Sequence, residues 1–176
     1  AISRQPVRGA VVSISGPPGF SAANVLGGSL SQTTGNDGLY QFLLLAGAPA
    51  GTYTLTVNAP AGYLPAPSAL IPACTNTLPV TAVPDPALVQ NSNLAPADSV
   101  TLHDPATCPA SSAGLAGGAG STQYYFSFVL DGSSADLVNN HIPLDPVMGG
   151  AIVMTKVSPK VNVTRGELVP YVLTAR

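Results

Sequence analysis

The chain has 176 residues, which is the size of one ordinary domain or slightly more. Hydrophobic residues reach 45%, enough for a core, whereas charged residues make up only 8% against roughly 25% in typical soluble domains. All six basic residues lie near the two ends, so no basic patch crosses the body and nucleic-acid binding is not supported.

The charges are separated along the chain. Between Gly9 and Thr155 there are seven aspartates and no Lys or Arg, while the ends carry six positive charges and Glu167, a net +5. One interpretation is attraction between the ends and the middles of neighbouring subunits, which salt would screen. The other is chance in a chain whose surface is made polar by Ser, Thr, Asn and Gln. Such a surface suits a protein outside the cell or packed against its own copies.

Period-two alternation predicts the first strand. In segment 7–14, the residues Ala10, Val12 and Ile14 fall on one face, and the Gly-Pro-Pro-Gly run at 16–19 ends the strand.

Two further strands are predicted before residue 60. Segment 39–45 is almost continuously apolar, which is typical of a strand buried on both faces or near the centre of a sheet. Segment 52–58 places Tyr53, Leu55 and Val57 on one face and only Thr and Asn residues on the other.

From about residue 60 to residue 121, prolines are frequent and the alternation stops, so we predict a long loop excursion with one strand near 98–103. The only two cysteines, Cys74 and Cys108, lie within it and have no metal-binding spacing. In a secreted context we predict a disulfide between them that holds the excursion down and contributes roughly 3–4 kcal/mol. The alternative is a pair of buried free thiols.

Strands are predicted again at 122–130, 150–157 and 167–174. One face of the first of these carries Tyr124, Phe126, Phe128 and Leu130. Pro170 has no N–H, so the last strand is at an edge or is interrupted there. Short strands at this spacing predict an all-β, Ig-like sandwich. No apolar run approaches 18 residues, so we expect no membrane span.

One stretch resembles a known family. The runs TTGNDGLYQF at 33–42, AGTYTLTV at 50–57 and PAGY at 60–63 resemble the B-type repeat domains of bacterial surface adhesins. Those domains are prealbumin-like, Ig-type sandwiches related to carboxypeptidase regulatory-like modules. Here Asn36-Asp37-Gly38 would make a tight hairpin turn, and Gly51 would open the next strand.

A second stretch, MTKVSPKVNVTRGELVPYVLT at 154–174, resembles the first two strands of a tandem repeat domain of large bacterial surface proteins. The implied organisation is a sandwich domain at 1–150, with its loop insertion, and a segment 151–176 that begins a second repeat or donates a strand. Two strands cannot form a sandwich, so this segment needs a partner in its own domain or in another copy. The apolar row concerned, here called the assembly strand, is Val169, Tyr171 and Leu173.

Motifs for catalysis are missing from the sequence. It contains no G-x-S-x-G, H-E-x-x-H, C-x-x-C or Walker loop, and neither His103 nor His141 lies in a motif. The loops at 36–38 and 131–136 superficially resemble calcium loops, but each has too few carboxylates alone. Gly35 also stands where the resembling family usually has an acidic residue. We therefore expect turn chemistry in both loops and no cofactor, with calcium left open.

These observations predict a non-catalytic structural module of a bacterial cell-surface or fibre protein, acting as a stalk or a self-assembling subunit. Its expected location is extracellular, and its expected partners are neighbouring copies or adjacent repeat domains. A first residue Ala1 instead of Met fits a mature or excised segment. The alternative is an adhesin module that binds a glycan or a host or partner protein. Glycan binders usually display exposed aromatic rings, whereas this chain has no Trp and its Tyr and Phe follow the strand-core phase.

Overall fold

A computed structural model describes residues 5–81, 104–112 and 123–147, together with the backbones of three short strands at 87–88, 154–157 and 172–175. The chain divides into two compact units, Ala1–Pro146 and Val147–Arg176. The assignment of the second unit to a tandem repeat stays a prediction.

The described residues form short strands and two single turns of 3₁₀-helix, at Ala22–Asn24 and Pro105–Thr107, so the structure is mainly β as predicted. None of their helices is long and apolar enough to cross a membrane. The strands are β1 (Val11–Ser15), β2 (Ser31–Thr33), β3 (Gly51–Asn58), β4 (Leu78–Pro79), β5 (Ala87–Leu88), β6 (Ser127–Leu130), β7 (Leu137–Val138), β8 (Met154–Val157) and β9 (Val172–Ala175).

Five strands of the first unit form one mixed sheet with the order β2-β1-β3-β6-β4. Its pairs are antiparallel except β4 with β6, which is parallel. A second, two-stranded parallel sheet pairs β5 with β7. In the second unit, β8 and β9 form an antiparallel pair.

One face of the five-stranded sheet, here called the inner face, is apolar because every second residue of its strands is apolar. The register places Ile14 opposite Leu55, and Tyr53 opposite Phe128. Leu78 also pairs with Phe128 and is fully buried. The same buried cluster includes residues outside the strands: Ile71, Cys74, Val80, Tyr124 and Tyr125. The core therefore lies between the inner face and the segments that cover it.

The opposite, outer face carries hydroxyl groups. Its cross-strand rows are Ser31, Ser13 and Thr56, then Ser15, Thr54 and Ser127, then Thr52 beside Val129. These side chains are exposed or half-buried. The outer face is thus polar without any charge, which agrees with the 8% of charged residues in the chain.

The predicted first and third strands are confirmed, with shifted ends. Ala10, Val12 and Ile14 are buried as expected, but β1 begins only at Val11. Before β1, the buried Thr34 hydroxyl bonds to the backbone in place of a neighbouring strand. It accepts from Ala10 N (3.0 Å) and donates to the Val7 carbonyl (2.7 Å).

The third strand opens at Gly51, as the resemblance implied. Its φ is +148°, and a Cβ there would lie 2.9 Å from Cβ of Pro17, so a side chain would clash. Tyr53 and Leu55 are buried, while Val57 is half-buried.

The predicted strand at 39–45 is wrong as a buried strand. The segment is extended, but it does not form a described strand ladder. Its β-pairing is a single isolated bridge between Val25 and Leu44. Leu39, Leu43 and Leu45 are exposed, with 68%, 46% and 43% of their surface accessible. Apolar composition alone suggested burial on both faces, whereas the described residues cover only one.

The predicted loop excursion at 60–121 needs a similar correction. Part of it enters the core, because Ile71, Leu78 and Val80 are buried and β4 joins the five-stranded sheet. The proline-rich sequence hid this strand, since a two-residue strand leaves no alternation to detect. The predicted strand near 98–103 lies outside the described residues.

The predicted strand at 122–130 is shorter than expected, because β6 covers only Ser127–Leu130. Tyr124 and Tyr125 are adjacent and both fully buried, which breaks the alternation. Tyr124 OH donates to the Ile71 carbonyl (2.7 Å), so this tyrosine is held by a side-chain hydrogen bond outside the strand ladder.

Candidate functional site

A half-open groove of about 630 Å³ lies over the inner face in the first unit. Segments 38–46 and 131–141 form its two walls. Its floor is the inner face, with Ile14, Tyr53, Leu55, Phe128 and Leu130. The groove combines an apolar floor with polar groups in its walls, which makes it the candidate binding site.

The first wall starts with a tight turn at the predicted position. Gly38 N donates to the Gly35 carbonyl (3.1 Å), and the Asp37 carboxylate accepts from Leu39 N (3.1 Å). Gly38 has φ +67°, and a Cβ there would lie 3.0 Å from Cβ of Pro6. Glycine is therefore required. The turn does not join two paired strands, so the hairpin that the resemblance implied is incomplete.

After the turn, segment 39–45 alternates like a strand. The side chains of Tyr40, Phe42 and Leu44 are half-buried and pack against the core. Those of Leu39, Leu43 and Leu45 point away from it and are exposed. The wall thus has a packed side and an apolar side that no described residue covers.

Among the described residues, the backbone of this segment has hydrogen-bond partners along one edge. Gln41 N donates to Oε1 of Gln32 (2.9 Å), and Nε2 of Gln32 donates to the Gln41 carbonyl. Leu26 N donates to the Leu43 carbonyl, and Leu45 N donates to the Asn24 carbonyl, both at 2.8 Å. A glutamine side chain therefore replaces part of a neighbouring strand. Sequence reasoning missed this role, because nothing marks Gln32 within β2.

Asn140 connects the two walls. Tyr40 OH donates to the Asn140 carbonyl (2.6 Å), and Nδ2 of Asn140 donates to Oη of Tyr40 (3.2 Å). The same amide pairs with Tyr125, accepting from its N and donating to its carbonyl, both at 2.9 Å. Burial raises the pKa of Tyr40 to about 12, and the hydrogen bond with Asn140 opposes that rise. Tyr40 is therefore a neutral hydrogen-bonding group at ordinary pH.

The second wall contains the loop that resembled a calcium site. The Asp131 carboxylate accepts from Ser133 N (2.8 Å) and Ser133 Oγ (2.7 Å). Ser134 Oγ donates to the Val80 carbonyl (2.8 Å), which fixes the loop to the core. The hydrogen bonds from Ser133 lower the pKa of Asp131. These bonds form an Asx turn, which is the expected turn chemistry.

The described residues contain no group of three or more His, Cys, Asp or Glu side chains that could hold a metal ion. Asp145 is buried, yet its carboxylate accepts from Ser68 Oγ (2.6 Å) and Ala69 N (2.7 Å). Burial lowers the pKa of His141 in the groove wall, so this histidine is neutral at pH 7. His103 lies outside the described residues.

The predicted disulfide between Cys74 and Cys108 is present, with the two Cα atoms 5.8 Å apart. Around it, the Pro109 carbonyl accepts from Nδ2 of Asn76 (2.9 Å) and from Tyr125 OH (3.1 Å). The bridge and these bonds hold segment 104–112 against the core. The bond leaves neither cysteine as a free thiol.

The assembly strand is only partly described. Val169 and Tyr171 lie outside the described residues, while Leu173 lies in β9 opposite Lys156. Its role in assembly stays a prediction.

What the groove offers is apolar surface with a few fixed polar groups, which suits binding. In comparisons with known proteins, no family model, no curated protein and no solved structure matches this chain.

Proposed function

We propose that this chain is a non-catalytic structural module of an extracellular bacterial surface or fibre protein, and that it associates with copies of itself or with adjacent repeat domains. The observation that carries the proposal is the group of exposed aliphatic side chains at one groove. Leu39, Leu43, Leu45 and Val138 all line it. Exposed apolar groups gathered at one place beside an unpaired strand edge are typical of an interaction surface.

The way in which the fold is fastened supports an extracellular location. The disulfide between Cys74 and Cys108 is of a kind that persists in oxidising compartments. The Ser and Thr hydroxyl groups make the outer face of the sheet polar without charged side chains. Both features suit a stable body that holds its shape outside the cell.

The finer architecture belongs to the same proposal. We assign the first unit to an Ig-type, prealbumin-like sandwich akin to the B-type repeats of surface adhesins. The antiparallel order of β2, β1, β3 and β6 and the turn at 35–38 support this assignment. The second unit would then be the start of a following repeat or a strand-donating tail.

The charge distribution supports contact between copies. The first unit contains seven Asp and two Arg, a net −5, and the second contains four basic residues and Glu167, a net +3. Opposite net charges on the two units favour encounter of one copy's second unit with another copy's first unit.

A second candidate function is an adhesin module that binds a glycan or a host protein. The groove favours it, because about 630 Å³ is the size of a small-molecule site and Tyr40, Asn140 and His141 supply polar groups. The described aromatic residues, however, are all buried or half-buried, and Tyr40 is hydrogen-bonded to Asn140 in the second wall, so none of them offers an exposed platform for a sugar.

Electron microscopy of the purified full chain tests the proposal, with a glycan array as the companion measurement. The structural module predicts ordered oligomers or filaments and no glycan bound. Isolated particles at every concentration together with a specific glycan hit would overturn it in favour of the binding module.

A further inference from the structure

In the first wall of the groove, one backbone edge has no hydrogen-bond partner among the described residues. In an extended segment, consecutive residues direct their N–H and C=O groups to opposite edges. Gln41, Leu43 and Leu45 direct theirs toward Gln32 and the 24–26 segment, where they are bonded. The backbone groups of Tyr40, Phe42 and Leu44 form the other edge, here called the open edge. No described residue hydrogen-bonds to it.

This edge has the properties of a strand acceptor. It is already extended, it lies in a groove wall, and exposed leucines at 39, 43 and 45 flank it. Natural proteins normally protect such edges with charge, proline or a bulge. Segment 39–45 contains no charged residue and no proline. An added strand would satisfy the backbone groups and cover the leucines at the same time.

We propose that the open edge accepts strand β9 of a second copy of this chain. The inference rests on the proposed function and names the surface through which the copies join. β9 spans four residues, Val172–Ala175, and pairs with β8 in a two-stranded sheet, which is marginal by itself in water. Addition to a third strand removes that weakness. The open edge, with three residues over a five-residue stretch, is of matching length.

Charge complementarity selects this occupant over an unrelated apolar strand. The second wall of the groove carries Asp131 and Asp136, and neither wall carries Lys or Arg. The unit that contains β9 carries Lys156, Lys160, Arg165 and Arg176. A strand from this unit therefore brings positive charge to an acidic groove.

Residue-resolved hydrogen exchange of the full chain tests the proposal over a concentration series. With rising concentration, the amides of Tyr40, Phe42 and Leu44 should exchange at least about tenfold more slowly, as added strand bonds form. The Leu45 amide is the internal control, because its bond to the Asn24 carbonyl protects it at every concentration. Exchange at 40, 42 and 44 that does not change with concentration would overturn the proposal.

A matched pair of variants separates this surface from others. Leu43→Asp places a carboxylate beside the open edge, and Val129→Asp places one on the outer face at a similar exposure, 46% against 40%. We expect Leu43→Asp to weaken self-association at least about tenfold and Val129→Asp to change it less than about twofold. Unchanged thermal midpoints would show that both variants are folded.

Two failures are distinguishable. If the chain assembles but both variants assemble equally well, the open edge is not the acceptor, and the proposed structural role stands. If the unmodified chain never assembles, the proposed role in self-association fails as well.

Discussion

The two faces of the five-stranded sheet arise from the same alternation of apolar and polar residues, but one face is buried and the other is exposed. On β3, Tyr53 and Leu55 are buried on the inner face, while Thr52 and Thr56 are exposed on the outer face. The inner face is covered by loops that a disulfide and buried hydrogen bonds hold in place. No described residue covers the outer face, whose hydroxyls are polar and in part bond to one another, as Ser13 Oγ does to Ser31 Oγ (3.0 Å). Stability in this chain therefore depends on how firmly the segments that cover the inner face are held in place.

Removing the disulfide should produce the largest loss of stability, because it releases a segment that covers the inner face. For Cys74→Ala with Cys108→Ala, the closed loop of 34 residues predicts a fall of up to about 4 kcal/mol in the free energy of unfolding. Urea unfolding of the variant and of the oxidised parent measures it. A variant within about 0.5 kcal/mol of the parent would show that the bridge does not fasten the cover.

Neighbouring residues of β3 offer the sharpest contrast between the faces. Leu55→Ala should cost about 3 kcal/mol, because it leaves a cavity under the cover. Thr56→Ala, one residue away on the outer face, should change stability by less than about 0.5 kcal/mol. Chemical denaturation of both variants gives the comparison, and equal costs would refute the distinction between the faces.

The carboxylate of Asp145 should stabilise the fold by holding the segment at Ser68 and Ala69 in place. Asp145→Asn replaces an acceptor that receives Ser68 Oγ and Ala69 N with a group that also donates, so we expect a loss of about 2 kcal/mol. Asp136→Asn is the control, since Asp136 is exposed and should be neutral within about 0.5 kcal/mol. Thermal unfolding would contradict this role if both variants melted together.

Alkaline pH should gradually lower the free energy of unfolding, because tyrosines that pack at the inner face lose their protons. The pKa of tyrosine is about 10 in an unfolded chain, and burial raises the pKa of Tyr40 and of Tyr125 to about 12. The folded state then holds the proton more tightly, so this stability is complete below about pH 10 and is lost as pH rises toward about 12.

The variant Tyr40→Phe checks the assignment of that loss. It should lose less stability than the parent between about pH 9 and about pH 11.5, because one raised tyrosine no longer titrates. Denaturation at several pH values gives the slope, and an unchanged slope would show that Tyr40 does not contribute.

Sequence reasoning recovered the parts of the fold that local alternation determines. β1 and β3 were predicted with their buried faces, and Cys74 and Cys108 were the only possible disulfide pair. It failed where side chains rather than ladders organise the backbone. Gln32 replaces a strand beside Gln41, and no local pattern marks such a substitution.

The groove could not be predicted for a related reason. Its walls are brought together by Asn140, which lies 100 residues from Tyr40 in sequence. An asparagine in a loop has many possible partners, so only the tertiary structure identifies this one. The apolar run at 39–45 was a true signal of an extended segment, but it did not reveal that three of its leucines stay exposed.

Sedimentation equilibrium of the full chain, at low and at high salt, tests the central claim of a self-associating module most directly. A self-associating module should give masses that rise above 17.6 kDa with concentration, and weaker association at high salt because the opposite charges of the two units are screened. A mass of 17.6 kDa at every concentration and salt would contradict it.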